Sequence, residues 1–92
     1  MNFEHTDNGQ KGYFRAVEND TDAGTIIYQW SDPETFVINH TNVNPEFKGR
    51  NIGKLLVLET VKFAREKNLI IVPRCPFAKS VFGKNIEIQD VL

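Results

Sequence analysis

Val43-Asn44-Pro45-Glu46-Phe47-Lys48-Gly49-Arg50-Asn51-Ile52-Gly53-Lys54 joins a strand-like run to a long amphipathic one. Gly49 and Gly53 allow close backbone approach, and Asn51 tolerates the left-handed conformation better than most residues. A helix that starts at Ile52 presents free N–H groups and the positive end of its dipole, which together suit a phosphate. Lys48, Arg50 and Lys54 add formal positive charge beside them. The spacing is that of neither a P-loop nor a dinucleotide-binding fingerprint.

Downstream, residues Ile52 to Lys67 carry a helical period. Ile52, Leu56, Val57, Thr60, Val61, Phe63 and Ala64 fall on one half of the wheel, and Lys54, Glu59, Lys62, Arg65 and Glu66 on the other. Leu55 and Leu58 intrude on the polar half, where they either meet another element or form a small exposed patch. Asn68 suits a left-handed stop. Leu69–Val72 then reads as a strand buried on both faces, completing a βαβ unit. Pro73 ends it. Pro76 suits a first helical position, so a short helix is expected over Phe77–Phe82, stopping at Gly83. Ile86–Val91 is a candidate last strand.

Upstream, strand-like runs alternate with turn chemistry. Met1–His5, Tyr13–Glu18, Thr25–Trp30 and Thr35–Val43 are the expected strands. Asn8-Gly9, Asn19–Gly24 and Ser31–Glu34 are the expected connections. Phe36, Ile38 and His40 share a face if no bulge intervenes. The fold class expected is therefore α+β: an antiparallel meander, a βαβ unit and a short C-terminal helix.

Ninety-two residues predict a single domain over 1–92, burying roughly 60–70% of the surface that the unfolded chain exposes. The net charge of -1 gives no global field for nucleic acid or an acidic membrane. No apolar run approaches the ~20 residues of a membrane span, and the N-terminus does not read as a secretory signal. The single cysteine, Cys75, excludes an internal disulfide framework and a multi-cysteine metal site. A cytoplasmic protein without nucleic-acid, membrane or metal partners is expected, as a monomer or weak homodimer.

The glycine segment resembles the acetyl-CoA-binding motif of the GNAT acetyltransferase superfamily, Arg/Gln-x-x-Gly-x-Gly/Ala. Aligned on Gly53 it reads Lys48-Gly49-Arg50-Asn51-Ile52-Gly53, with Lys48 at the Arg/Gln position and Asn51 at the middle glycine. His40-Thr41 upstream and Val72-Pro73-Arg74-Cys75-Pro76-Phe77 downstream resemble the minimal acetyltransferase-like family within that superfamily. The resemblance covers about Thr35 to Phe82. It implies a mixed sheet whose fourth and fifth strands splay apart, and acetyl-CoA as co-substrate. The pyrophosphate would lie on the N–H groups from Arg50 to Lys54, and the pantetheine arm would pair with the strand edge near Val43.

Two residues are candidates for the chemistry. Cys75 follows the βαβ strand, beside Arg74 and before the helix-starting Pro76, a setting that favours thiolate. His40 is either a strand histidine with a satisfied hydrogen bond or a base for Cys75. Neither Tyr13 nor Tyr28 is assigned as a general acid. The implied activity is N-acetyl transfer to a small-molecule or protein amine, either directly or through a Cys75 acetyl-thioester. The alternatives are a non-catalytic acyl-CoA-binding or regulatory module, and a protein-interaction module using Leu55 and Leu58.

Overall fold

The computed structural model describes residues 1–92. Five strands form one sheet: β1 (Asn2–Asp7), β2 (Lys11–Glu18), β3 (Thr21–Asp32), β4 (Thr35–Val43) and β5 (Ile70–Pro73). They lie in chain order, with β1 to β4 antiparallel and β5 parallel to β4. Helix α1 (Ile52–Lys67) makes the crossover, and helix α2 (Pro76–Lys84) follows β5. A 3-10 turn precedes α1 at Pro45–Phe47, and another closes the chain at Ile86–Val91. No helix is long and apolar enough to cross a membrane.

The meander is tighter than the sequence suggests. Asn19 and Asp20 both adopt positive φ, at 51° and 61°, the backbone that a two-residue hairpin requires. The expected loop over Asn19–Gly24 therefore shrinks to two residues, and Thr21 to Gly24 belong to β3. Asp32 Oδ1 accepts the Glu34 N–H at 2.8 Å, so the next turn is confined to Pro33-Glu34.

Buried residues alternate along the strands, so one face of the sheet is covered and the other open. Phe14, Ala16, Ile26, Tyr28, Phe36, Ile38 and Ile71 face the helices. Burying each large side chain among them contributes about 1.5–3 kcal/mol. The continuous run Leu69–Val72 was expected to be buried on both faces, and it is not. Leu69 and Ile71 are buried, whereas Ile70 and Val72 are 42% and 39% exposed. Strand β5 is a sheet edge, and nothing covers its outer face.

Three further expectations are corrected or resolved. Ile86–Val91 is a 3-10 turn rather than a strand, because Ile88 and Val91, three residues apart, are the pair that buries. Arg65 clamps this turn to α1 through Asp90 and the Glu87 carbonyl. Helix α2 runs through Gly83 to Lys84, and Asn85 Nδ2 donates to the Val81 carbonyl at its end. Leu58 packs against the core, while Leu55 stays exposed.

Candidate active site

The connection from β4 to α1 leads into an uncapped helix start. Asn44 Oδ1 accepts the Glu46 N–H, its Nδ2 donates to the Asp22 carbonyl, and Phe47 is buried, which fixes the start of the loop. Gly49 has φ +84°, and no atom lies within 4 Å of where a Cβ would stand. Asn51 is left-handed, with φ 60° and ψ 25°, and its side chain caps nothing. Helix α1 thus begins with no side-chain cap and no acid in its first turn. Its leading N–H groups have no intrahelical partner.

The three cations differ in availability. Arg50 is held by Glu18 at 2.6 and 2.8 Å and lies over the Phe47 ring at 5.1 Å. The hydrogen bond to Glu18 raises the Arg50 pKa, and the same bond lowers that of Glu18. Lys48 and Lys54 are exposed and belong to no ion pair. Of the three cations expected beside the helix start, Arg50 is thus engaged by Glu18.

Gly53 serves a different purpose from the one its place in the motif suggests. A Cβ there would lie 2.6 and 2.8 Å from two carbons of the Phe77 ring. Its missing side chain makes room for α2 rather than for an approaching ligand.

Strands β4 and β5 pair from Thr35↔Ile70 to Ile38↔Pro73 and no further. The Ile38 carbonyl accepts the N–H groups of both Arg74 and Cys75, at 3.1 and 3.0 Å. Beyond it, Asn39 to Val43 have no β5 partner, and the two strands part as the resemblance implies. Val43, the last residue of β4, is 37% exposed at the end of this edge.

Cys75 stands at the parting point as the residue preceding α2, and it is buried. Its Sγ is 3.6 Å from Thr41 Oγ1. Burial pushes the thiol pKa up, but the Ala78 N–H, the Thr41 side chain and the Phe77 N–H outweigh it, so the net direction is down. His40 is not its partner. The β3–β4 register steps from Ile27↔His40 to Tyr28↔Ile38, which leaves Asn39 as a bulge. The bulge reverses the alternation, so Thr41 takes the covered face and His40 joins the exposed one beside Ile27. The sequence assigned Thr41 no place beside the thiol, because its orientation depends on that extra residue.

Tyr28 is fully buried, far from a free hydroxyl. It donates to Asp7 Oδ2 at 2.5 Å, so His5 Nε2, 2.6 Å away, is the donor to its oxygen. Trp30 Nε1 adds a bond to the same Asp7 oxygen at 2.8 Å. The Tyr28 ring reaches β1 by crossing Gly12, where a Cβ would overlap its hydroxyl. Desolvation, then Asp7, pushes the Tyr28 pKa far up.

A mixed sheet whose fourth and fifth strands part beside an uncapped helix start is the α+β fold of the acetyltransferase class. The sequence profile described as GCN5-related N-acetyl-transferase matches residues 12–91, and the chain belongs to that family. Acetyl-CoA-dependent acetyl transfer holds at the level of the family. No curated protein matches the sequence.

Among solved structures, a GCN5-like protein from Staphylococcus aureus, provisionally described as an N-acetyltransferase, is 36% identical with a TM-score of 0.70. The match covers 96% of this chain and 85% of that one. Ribosomal-protein-alanine N-acetyltransferase from Brucella melitensis biovar Abortus is 16% identical, with 82% and 60% of the two chains covered and a TM-score of 0.69. AAC(6′)-Iy, solved with the bisubstrate analogue CoA-S-monomethyl-acetylneamine, is 13% identical, with 84% and 61% covered and a TM-score of 0.64. At such identities the last two likenesses concern the fold alone, and the chain spans about three fifths of those proteins' length.

Proposed function

We propose that the chain is an acetyl-CoA-dependent N-acetyltransferase in which Cys75 carries the acetyl group to an amine of a small molecule or a protein. The observation that carries this reading is the position of the Cys75 thiol, where β5 leaves β4, with the free β4 edge running from it towards the uncapped start of α1. Gly49 and the N–H groups of Asn51, Ile52, Gly53 and Lys54 hold the pyrophosphate. Lys48 and Lys54 add charge, and Val43 flanks the pantetheine arm.

Bound there, acetyl-CoA supplies an activated acyl group as a thioester. The Cys75 thiol loses its proton as Sγ bonds to the carbonyl carbon, the bond from that carbon to the CoA sulfur breaks, and the proton ends on the departing CoA sulfur. The acceptor amine then attacks the Cys75 thioester. The bond to Sγ breaks, and the amine's surplus proton passes to the departing Cys75 thiolate. Thioester exchange is close to isoenergetic, so the chain's contribution is positioning and a thiol whose pKa is already lowered. Backbone N–H groups on the free β4 edge supply donors for the developing oxyanion.

Titration of the isotope-labelled protein with CoA tests the location. Amide shifts concentrated in residues 39–54 and 75–78 are expected; shifts confined elsewhere, or none, overturn the assignment.

A further inference from the structure

Phe77 is a large aromatic residue, yet it is 42% exposed while resting on a glycine. Its ring packs where the Gly53 side chain would be, so the first turn of α2 sits directly on the first turn of α1. The two helix starts are the two ends of the proposed cofactor path. One offers the N–H groups of Asn51 to Lys54, and the other carries Cys75. Between them runs the unpaired edge of β4 from Asn39 to Val43, ending on the exposed apolar side chain of Val43.

Resting on the reading above, we propose that Phe77 is a cofactor-positioning residue. Its seat on Gly53 fixes the spacing between the phosphate cradle and the Cys75 thiol, and its exposed part is the apolar wall for the pantetheine arm. A ring whose tip rests on a glycine while the residue stays 42% exposed suits a chain of methylenes and amides better than it suits water.

The test compares two ligands on one protein. Calorimetry gives affinities for CoA and for adenosine 3′,5′-bisphosphate, a fragment that lacks the pantetheine arm. In Phe77→Ala, CoA is expected to weaken about tenfold while the fragment changes less than about twofold. Phe77→Leu should restore most of the loss, and a general packing defect would instead weaken both ligands alike. Circular dichroism of each variant checks that α2 is retained. Equal weakening of CoA and the fragment, or no change in either, overturns the inference while leaving CoA binding itself intact. Failure of the unsubstituted protein to bind CoA overturns both the inference and the reading it rests on.

Discussion

Cys75 Sγ faces Thr41 Oγ1 at 3.6 Å across the point where β5 leaves β4. This contact exists because Asn39 is a bulge. One extra residue in β4 turns Thr41 inward and His40 outward. Thr41 is therefore expected to set the ionisation of the thiol. Thr41→Val should raise the Cys75 pKa and slow its alkylation by iodoacetamide near neutral pH, whereas Thr41→Ser should keep the native profile. His40→Ala should leave that profile unmoved. An alkylation rate against pH that is identical in Thr41→Val and the native protein would refute this role.

Gly49 and Gly53 should respond differently to substitution. Gly49 lies at positive φ in open space, so Gly49→Ala should cost roughly 1–2 kcal/mol from backbone strain alone, and Gly49→Asn less. Gly53 is conformationally ordinary but sits under Phe77, so Gly53→Ala should cost roughly 1–3 kcal/mol by overpacking. Urea unfolding of the three variants distinguishes strain from collision. Gly49→Asn being as destabilised as Gly49→Ala would contradict the strain argument.

Arg50 is tied to Glu18 on the loop between β4 and α1. Glu18→Gln should release the guanidinium towards a bound phosphate and tighten CoA binding by roughly two- to fivefold at low salt. Lys48→Ala and Lys54→Ala should loosen it by a similar factor. All three effects should fade as salt rises. Affinities that do not depend on ionic strength would argue against phosphate recognition at this loop.

Tyr28, His5, Asp7 and Trp30 tie β1 to the middle of the sheet. Burial works against the Asp7 carboxylate, but hydrogen bonds from Tyr28, the Gly9 N–H and Trp30 outweigh it and hold its pKa below the ordinary aspartate value. Because the folded pKa is the lower one, this stabilisation is fully present above the ordinary aspartate range. It is lost as pH falls through the lowered value. Asp7→Asn should flatten the acid limb of the stability curve. Tyr28→Phe should cost about 1–2 kcal/mol at neutral pH. An acid limb unchanged in Asp7→Asn would show that other carboxylates govern it.

How much of this was legible in the sequence depended on whether the signal was local. Helix α1 runs from Ile52 to Lys67 as its period indicates, and Asn68 stops it in the left-handed conformation. Pro76 opens α2, and the alternation of Phe14 with Ala16 and of Ile26 with Tyr28 correctly marks the covered face. The backbone of the loop into α1 was legible, because Gly49 and Asn51, both at positive φ, stand within a few residues of the helix start. Position within the sheet was not legible. Leu69–Val72 has the composition of an interior strand but lies at an edge. The bulge at Asn39, which separates His40 from Cys75, has no composition signature of its own. Gly53 fitted a ligand-binding motif, and only the three-dimensional path of Phe77 shows what fills the space.

Intact mass spectrometry after incubation with acetyl-CoA, in the absence of any amine acceptor, tests the acetyl-Cys75 intermediate most directly. One acetyl increment is expected on the native protein, removed by hydroxylamine and absent from Cys75→Ala. No increment across the neutral to alkaline range, together with a thiol that alkylates only after unfolding, would contradict it and leave direct transfer to the amine as the surviving mechanism.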